Sequence, residues 1–135
     1  MRVRQQKELS NSVKVRFVNA PEIIEVLKSI SGHILQRDEN VLGIYLFGSL
    51  SDDTYVPGSD ADILIVLKDD ERRFIDRIPE FLRYFLTASV ATDVFPYTRK
   101  EAEEMISKGN SFFTNIWNKK KILAERTNVV NRVNA

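Results

Sequence analysis

The sequence contains no cysteine and only one histidine among its 135 residues. Without cysteine the chain can form neither disulfides nor thiolate metal sites, and catalysis by a thiol is excluded. Its apolar runs are all shorter than the roughly 20 residues that a membrane-spanning helix needs. The first residues also lack the apolar centre of a secretory signal. These absences favour a cytoplasmic protein that does not enter a membrane.

The chain also lacks a strong charge of either sign, since its formal net charge is +1. Residues 1–18 nevertheless hold five basic side chains against one acidic side chain, which leaves the rest of the chain weakly acidic. We expect this segment to be a solvated basic arm with little order, followed by one domain at 19–127 and a tail at 128–135. Because the body is weakly acidic, broad electrostatic binding of nucleic acid is not expected.

The order of predicted elements is typical of an α/β domain, a small mixed β-sheet with helices packed on it. Strands are predicted where short β-rich apolar runs occur, at 41–47, 60–67, 89–96 and 121–125. The second strand is apolar on both faces, which indicates a central place in the sheet. Helices are predicted at 20–36, 68–85, 98–109 and 110–118.

Particular residues define the ends of these helices. Pro21 suits the first turn of the first helix. The second helix is expected to begin at Lys68-Asp69-Asp70 and to break or kink at Pro79. Thr98 and Glu101 predict a capping box for the third helix, which Gly109 should end.

Two carboxylates stand at the start of the second predicted strand, where Asp60-Ala61-Asp62 leads straight into an apolar run. Residues two apart on a strand point to the same face, with about 6.6 Å between their Cα atoms. Two such charges repel each other unless a cation lies between them. Mg²⁺ binds through a few carboxylates and substrate phosphates, so the pair indicates a Mg²⁺ site that could also take Mn²⁺. The alternative is that the pair only marks a strand start.

A third carboxylate, Asp93, lies in the otherwise apolar third strand. If this strand neighbours the second one in register, three carboxylates converge. That set would be a sufficient protein contribution to a two-metal site, which clamps the attacking and leaving oxygens at phosphorus. Asp93 could instead be a structural acid with hydrogen-bonded partners.

Gly48-Ser49, directly after the first strand, predicts the phosphate-binding part of the site. A glycine lets the backbone come close to a ligand, and free N–H groups there can hold phosphate oxygens. The Ser49 hydroxyl adds a donor, although it could equally be a turn or cap residue. Ser59, just before the aspartate pair, could contact phosphate or simply close the turn.

Gly48-Ser49, ten intervening residues and Asp60-Ala61-Asp62 resemble the GS-x10-DxD signature of nucleotidyltransferases of the DNA polymerase β superfamily. The chain size, the helix before the first strand and the single later aspartate resemble the minimal nucleotidyltransferases related to kanamycin nucleotidyltransferase. The resemblance spans about residues 20–125. It implies a polymerase β palm-like nucleotidyltransferase fold.

The resemblance also implies roles for the motif residues. Gly48 and Ser49 would contact nucleotide phosphates, and Asp60 and Asp62 would bind Mg²⁺. Asp93 would complete the site and assist deprotonation of an acceptor hydroxyl. The implied reaction transfers a nucleoside monophosphate, most simply AMP from ATP, to a hydroxyl and releases pyrophosphate.

Several partners are compatible with this resemblance. Small members of the family often act as antitoxins that modify a tyrosine on a helical HEPN toxin, so a HEPN-type protein is one expected partner. A small hydroxylated molecule such as an aminoglycoside is another acceptor, and a homo-oligomer is a further option. The body charge argues against nucleic acid as a partner.

Other side chains favour structural interpretations or a different function. Asp52 and Asp53 replace the basic residue and glycine of many relatives. We interpret them as loop residues, but acids beside a triphosphate also suit a weak or inactive module that neutralises or scaffolds a partner. His33 is interpreted as a helix-face residue and not a general base. Trp117 and its neighbouring phenylalanines are interpreted as core or interface and not a base-stacking platform.

Overall fold

The computed structural model describes residues 20–48, 50 and 60–126. The basic arm at 1–18 and the tail at 128–135 lie outside the described residues. Within that part of the chain four α-helices and four β-strands form, with a short 3₁₀ turn at Arg83–Phe85 after α2. In chain order they are α1 (Ala20–Arg37), β1 (Val41–Phe47), β2 (Ala61–Leu67), α2 (Phe74–Leu82), β3 (Thr92–Thr98), α3 (Arg99–Ser107), α4 (Ser111–Lys119) and β4 (Lys121–Glu125).

The strands form one mixed sheet in the order β3-β2-β1-β4. β1 is antiparallel to both β2 and β4, whereas β2 and β3 run parallel. The two central strands are almost entirely buried, as expected for strands that are apolar on both faces. The predicted mixed α/β sheet and the central place of β2 are therefore confirmed.

Helices cover both faces of the sheet. On one face α1 and α2 pack through Ile23, Leu27, Ile34 and Phe81 onto Ile63 and Ile65 of β2. On the other face α3 and α4 pack through Ala102, Phe113, Ile116 and Trp117 onto Tyr45 and Leu64. The predicted core position is confirmed for Trp117 and Phe113 but not for Phe112, which is 58% exposed. None of the helices in the described ranges combines the length and hydropathy that crossing a bilayer requires.

The second helix departs from the prediction in two ways. It begins at Phe74 and not at Lys68, because Asp69 and Asp70 form a loop in which their backbone and side chains bind Asn40 and Arg72. It also passes through Pro79 without a break. The expected break is wrong, whereas the alternative of a kink stays a prediction; burial of Phe81 against the sheet favours a continuous helix despite the hydrogen bond that a proline removes.

The caps of the later helices follow the sequence signals. The Thr98 side chain accepts from the Glu101 N–H and the Glu101 carboxylate accepts from the Thr98 N–H, so the capping box is confirmed. Gly109 has a φ of 74° just after α3, a left-handed conformation that favours glycine at a helix end. The third predicted strand is shifted, since β3 spans Thr92–Thr98 and Ser89 lies before it.

Candidate active site

Three strand termini lie side by side at one end of the sheet. β1 ends at Phe47 and is followed by Gly48, while β2 and β3 begin beside it. Phe47 pairs with Asp62 across the β1–β2 ladder, and Asp62 pairs with Asp93 across the parallel β2–β3 ladder. We call Gly48, Asp60, Asp62 and Asp93 the acidic edge.

The carboxylates of the acidic edge share one face of the sheet. Paired residues of neighbouring strands point to the same side, at a strand spacing of about 4.8 Å. Asp62 and Asp93 therefore lie next to each other, and Asp60, just before the strand begins, is near enough for its charge to act on Asp62. This is the face covered further along by α3 and α4, because Leu64 and Phe95, two residues beyond the paired aspartates, pack in that core. The expected neighbouring register of the second and third strands is confirmed.

The surroundings of Asp62 disfavour its charge. Burial raises the pKa of the Asp62 carboxyl above its ordinary value, and the nearby carboxylates of Asp93 and Asp60 raise the pKa further. Phe47 and Phe95, whose ring centroids are 5.3 Å apart, make this side of the edge apolar. None of the ion pairs formed within residues 20–48, 50 and 60–126 includes these three aspartates. A carboxyl group whose pKa is raised in this way, next to other carboxylates, is typical of functional sites.

Gly48 is the residue that makes room for the Asp62 carboxylate. Its φ is 83°, a backbone conformation that residues with a side chain rarely adopt. A Cβ atom at this position would lie only 2.5 Å from Oδ2 of Asp62. The turn after β1 thus allows close approach of backbone to carboxylate. The sequence motif indicated a glycine for phosphate approach, but its spacing role toward Asp62 depends on the strand pairing.

The donor chemistry of the acidic edge fits a hard divalent cation. Carboxylate oxygens are the protein ligands that Mg²⁺ takes, alongside water and substrate phosphates. A cation would also relieve the repulsion that raises the pKa of Asp62. In the part of the chain that the structure describes, no three acidic, histidine or cysteine side chains form a ready-made metal site. The aspartates match such a cation in chemistry, but in the described residues their carboxylates do not converge as the three-ligand group that the sequence suggests.

Ser49, Ser59, Asp52 and Asp53 lie outside the described residues, so their roles stay predictions. His33 is exposed on α1, the helix that covers the opposite face of the sheet.

Comparison with known proteins identifies a family and several solved structures of similar fold. A family model for the nucleotidyltransferase domain matches residues 21–130. A candidate nucleotidyltransferase from Sulfolobus solfataricus, known from a crystal structure, is similar over 81% of this chain and 86% of its own, with 21% identity and a TM-score of 0.58. A toxin–antitoxin structure with AMP-PNP matches over 86% and 81%, with 19% identity and a TM-score of 0.48. No curated protein matches the sequence.

Proposed function

The chain belongs to the nucleotidyltransferase domain family, and we propose that its acidic edge transfers AMP from ATP to a hydroxyl group. The observation that carries this proposal is the direct pairing of Asp62 with Asp93 beside Gly48. The matched family makes the chain a nucleotidyltransferase. The nucleotide, the metal and the acceptor are the parts that we propose.

Each residue has a role in the proposed reaction. The acceptor oxygen attacks the α-phosphorus of ATP, the bond from that phosphorus to the oxygen bridging to the β-phosphate breaks, and pyrophosphate leaves. Asp93 accepts the proton of the acceptor hydroxyl. The backbone at Gly48 and the hydroxyls of Ser49 and Ser59 orient the phosphates.

Asp60, Asp62 and Asp93 would hold Mg²⁺. When bound, the ion neutralises the charge that develops on the triphosphate. Without it, three carboxylates would repel the polyphosphate chain. Positioning and charge neutralisation are thus the main catalytic contributions expected of this edge.

We propose a hydroxyl on a protein as the acceptor, with a helical HEPN-type protein as the partner implied by the sequence resemblance. The alternative is a weak or inactive module that neutralises a partner through the same surface. Asp52 and Asp53 are the observation that favours this alternative.

The test replaces the two motif aspartates together. Asp60→Ala combined with Asp62→Ala should lower AMP transfer from labelled ATP by about 10³-fold or more, because several kcal/mol of charge stabilisation is lost. Asp69→Ala is the matched control, an exposed aspartate at the other end of β2 that should leave transfer unchanged. Circular dichroism should show an intact fold in both variants.

Two results would contradict the proposal. Transfer that persists in the double variant would show that the site lies elsewhere. Failure of the unchanged protein to bind ATP with Mg²⁺ at millimolar concentration in calorimetry would favour the non-catalytic module.

A further inference from the structure

Three consecutive lysines, 119–121, lie where α4 passes into β4. β4 runs antiparallel to β1, and its first residue, Lys121, pairs with Leu46. Leu46 lies two residues before Gly48, so the lysines lie at the same end of the sheet as the acidic edge. In the sheet order β1 stands between β2 and β4. The end of β1 therefore separates the lysines from the aspartates.

Lys120 lies on the face of the sheet that Asp62 and Asp93 share. Its Nζ is 3.8 Å from the ring centroid of Trp117 and 5.3 Å from that of Tyr45. Both rings pack in the core under α3 and α4, the face to which the paired aspartates point. Lys121 pairs with Leu46, which packs in the core on the opposite face. The two neighbouring lysines thus serve opposite faces of the sheet.

The Lys120 ammonium is held in place by the backbone, while burial disfavours its charge. Nζ donates a 3.0 Å hydrogen bond to the carbonyl of Trp117. Burial lowers the pKa of Lys120, and the charge of Glu125 offsets this only in part. The Glu125 carboxylate also accepts a 2.7 Å hydrogen bond from the Tyr45 hydroxyl. An anion placed near this ammonium would stabilise its charged form.

The order of charges across this end of the sheet matches the order of groups in the proposed reaction. From one side to the other it holds Asp93 of β3, Asp62 of β2, Gly48 after β1 and Lys120 before β4. Neighbouring strands are about 4.8 Å apart, so β2 and β4 are about 10 Å apart. A polyphosphate chain that crosses the end of β1 can therefore have its first phosphate near the carboxylates and its last phosphate near the lysine.

We propose that Lys120 binds the terminal phosphates of the nucleoside triphosphate and, after transfer, the pyrophosphate that leaves. This inference rests on the proposed function. Residues 50–59, which follow Gly48-Ser49, contain no lysine or arginine, so a cation for the terminal phosphates would come from another segment. A hydrogen bond between an ammonium and a phosphate is charged on both sides and is stronger than one between neutral groups.

The test measures binding of two ligands that carry terminal phosphates, without any chemistry. AMP-PNP with Mg²⁺ and pyrophosphate with Mg²⁺ are titrated into the full chain in a calorimeter. Lys120→Met keeps an unbranched side chain over Trp117 but removes the ammonium, and should weaken binding of both ligands by about tenfold. Lys120→Arg keeps the positive charge and should restore most of the affinity.

Lys121→Met is the matched control, because it removes the same charge one residue away, on the opposite face of the sheet. It should change either affinity by about twofold at most, since exposed charges act weakly through salt solution. Circular dichroism should show an intact fold in all three variants.

Each other outcome overturns the inference in a recognisable way. Equal losses in Lys120→Met and Lys121→Met would reduce the effect to general charge. A loss in Lys120→Arg as large as that in Lys120→Met would show that Lys120 only supports the end of α4. If pyrophosphate fails to bind, or if the loss is confined to AMP-PNP, Lys120 does not bind the terminal phosphates.

This inference and the proposed function can fail separately. If the unchanged protein and Lys120→Met bind both ligands equally well, the phosphate-binding role of Lys120 falls alone. If the unchanged protein does not bind AMP-PNP with Mg²⁺, the proposed function falls and this inference falls with it.

Discussion

Carboxylates lie at both ends of the sheet, and their surroundings differ. At the end of β3 opposite the acidic edge, Glu101 accepts hydrogen bonds from the buried guanidinium of Arg77, at 2.7 and 3.1 Å. That guanidinium also donates to the carbonyl of Pro96. At the acidic edge, Asp62 instead faces Asp93. The contact with Arg77 lowers the pKa of Glu101, whereas burial and then Asp93 raise the pKa of Asp62.

The difference separates stability from function. At the other end, the positive charge of Arg77 is paired with a carboxylate of the same chain. These contacts hold α2, β3 and α3 against one another. Arg126 acts similarly near the end of α1, where it donates to the carbonyls of Leu35, Asp38 and Val41. The like charges of the acidic edge repel each other, so the folded chain would be more stable without them. Such a local loss of stability is typical of sites that bind a charged ligand.

The largest effect should come from removing the balancing charge. Arg77→Met removes the guanidinium that donates to the partly exposed Glu101 carboxylate and to the buried Pro96 carbonyl, and should lower the free energy of unfolding by about 3 kcal/mol. Urea denaturation measures this. Arg73→Ala is the control, because the Arg73 side chain is 80% exposed in its pair with Asp76, and should change stability by about 1 kcal/mol at most. Equal losses in the two variants would remove the distinction between the ends.

An intermediate effect is expected at Gly48. Gly48→Ala should lower the free energy of unfolding by about 1–3 kcal/mol, because alanine is strained at this φ and its Cβ meets Asp62. Combined with Asp62→Ala, the same change should cost less, since only the backbone strain remains.

Gly32→Ala is the control for Gly48, because Gly32 lies within α1 and a Cβ there meets no atom within 4 Å. That variant should gain about 0.5–1 kcal/mol. If Gly48→Ala lowers the free energy of unfolding equally with and without the Asp62 carboxylate, the close approach of that carboxylate is not the reason for a glycine at this position.

The smallest effects are expected when one carboxylate at each end of the sheet is replaced by the corresponding amide. In metal-free buffer near pH 7, Glu101→Gln should lower the free energy of unfolding by about 1 kcal/mol. Asp62→Asn should raise it by about 0.2–1 kcal/mol, because like charges face each other across the strands. Urea denaturation at several pH values measures both.

The pH dependence of these two variants follows from the pKa shifts. The pKa of Glu101 is lowered, so its stabilisation is present above the ordinary value of 4.5 and is lost as the pH falls through the folded-state pKa. The pKa of Asp62 is raised, so its destabilisation is absent below the ordinary value of 3.8 and appears as the pH rises through the folded-state pKa. Changes of the same sign in the two variants would contradict the comparison.

The sequence predicts most of the helices and strands, because local patterns of apolar and capping residues determine them. β1 and β4 have the predicted bounds. The sequence predicts the pairing of Asp62 with Asp93 only on the condition that their strands are neighbours in register, which the structure shows. The start of α2 and the buried Arg77 could not be predicted in this way. Arg77 is an ordinary polar residue in its helix, and its partners lie up to 24 residues away. The open cavity lined by residues 82–92 likewise depends on how the segment between α2 and β3 folds against the sheet.

The parallel pairing of β2 and β3 has a consequence for how activity is acquired. Parallel neighbours need a crossover, and here the crossover contains α2, so the pairing of Asp62 with Asp93 requires that the whole segment between β2 and β3 closes back onto the sheet. Contacts between distant parts of a chain form late because loop closure must come first. A fragment that ends before β3 would carry the whole GS-x10-DxD motif and still lack the pair, which makes nucleotide transfer a reporter of complete folding.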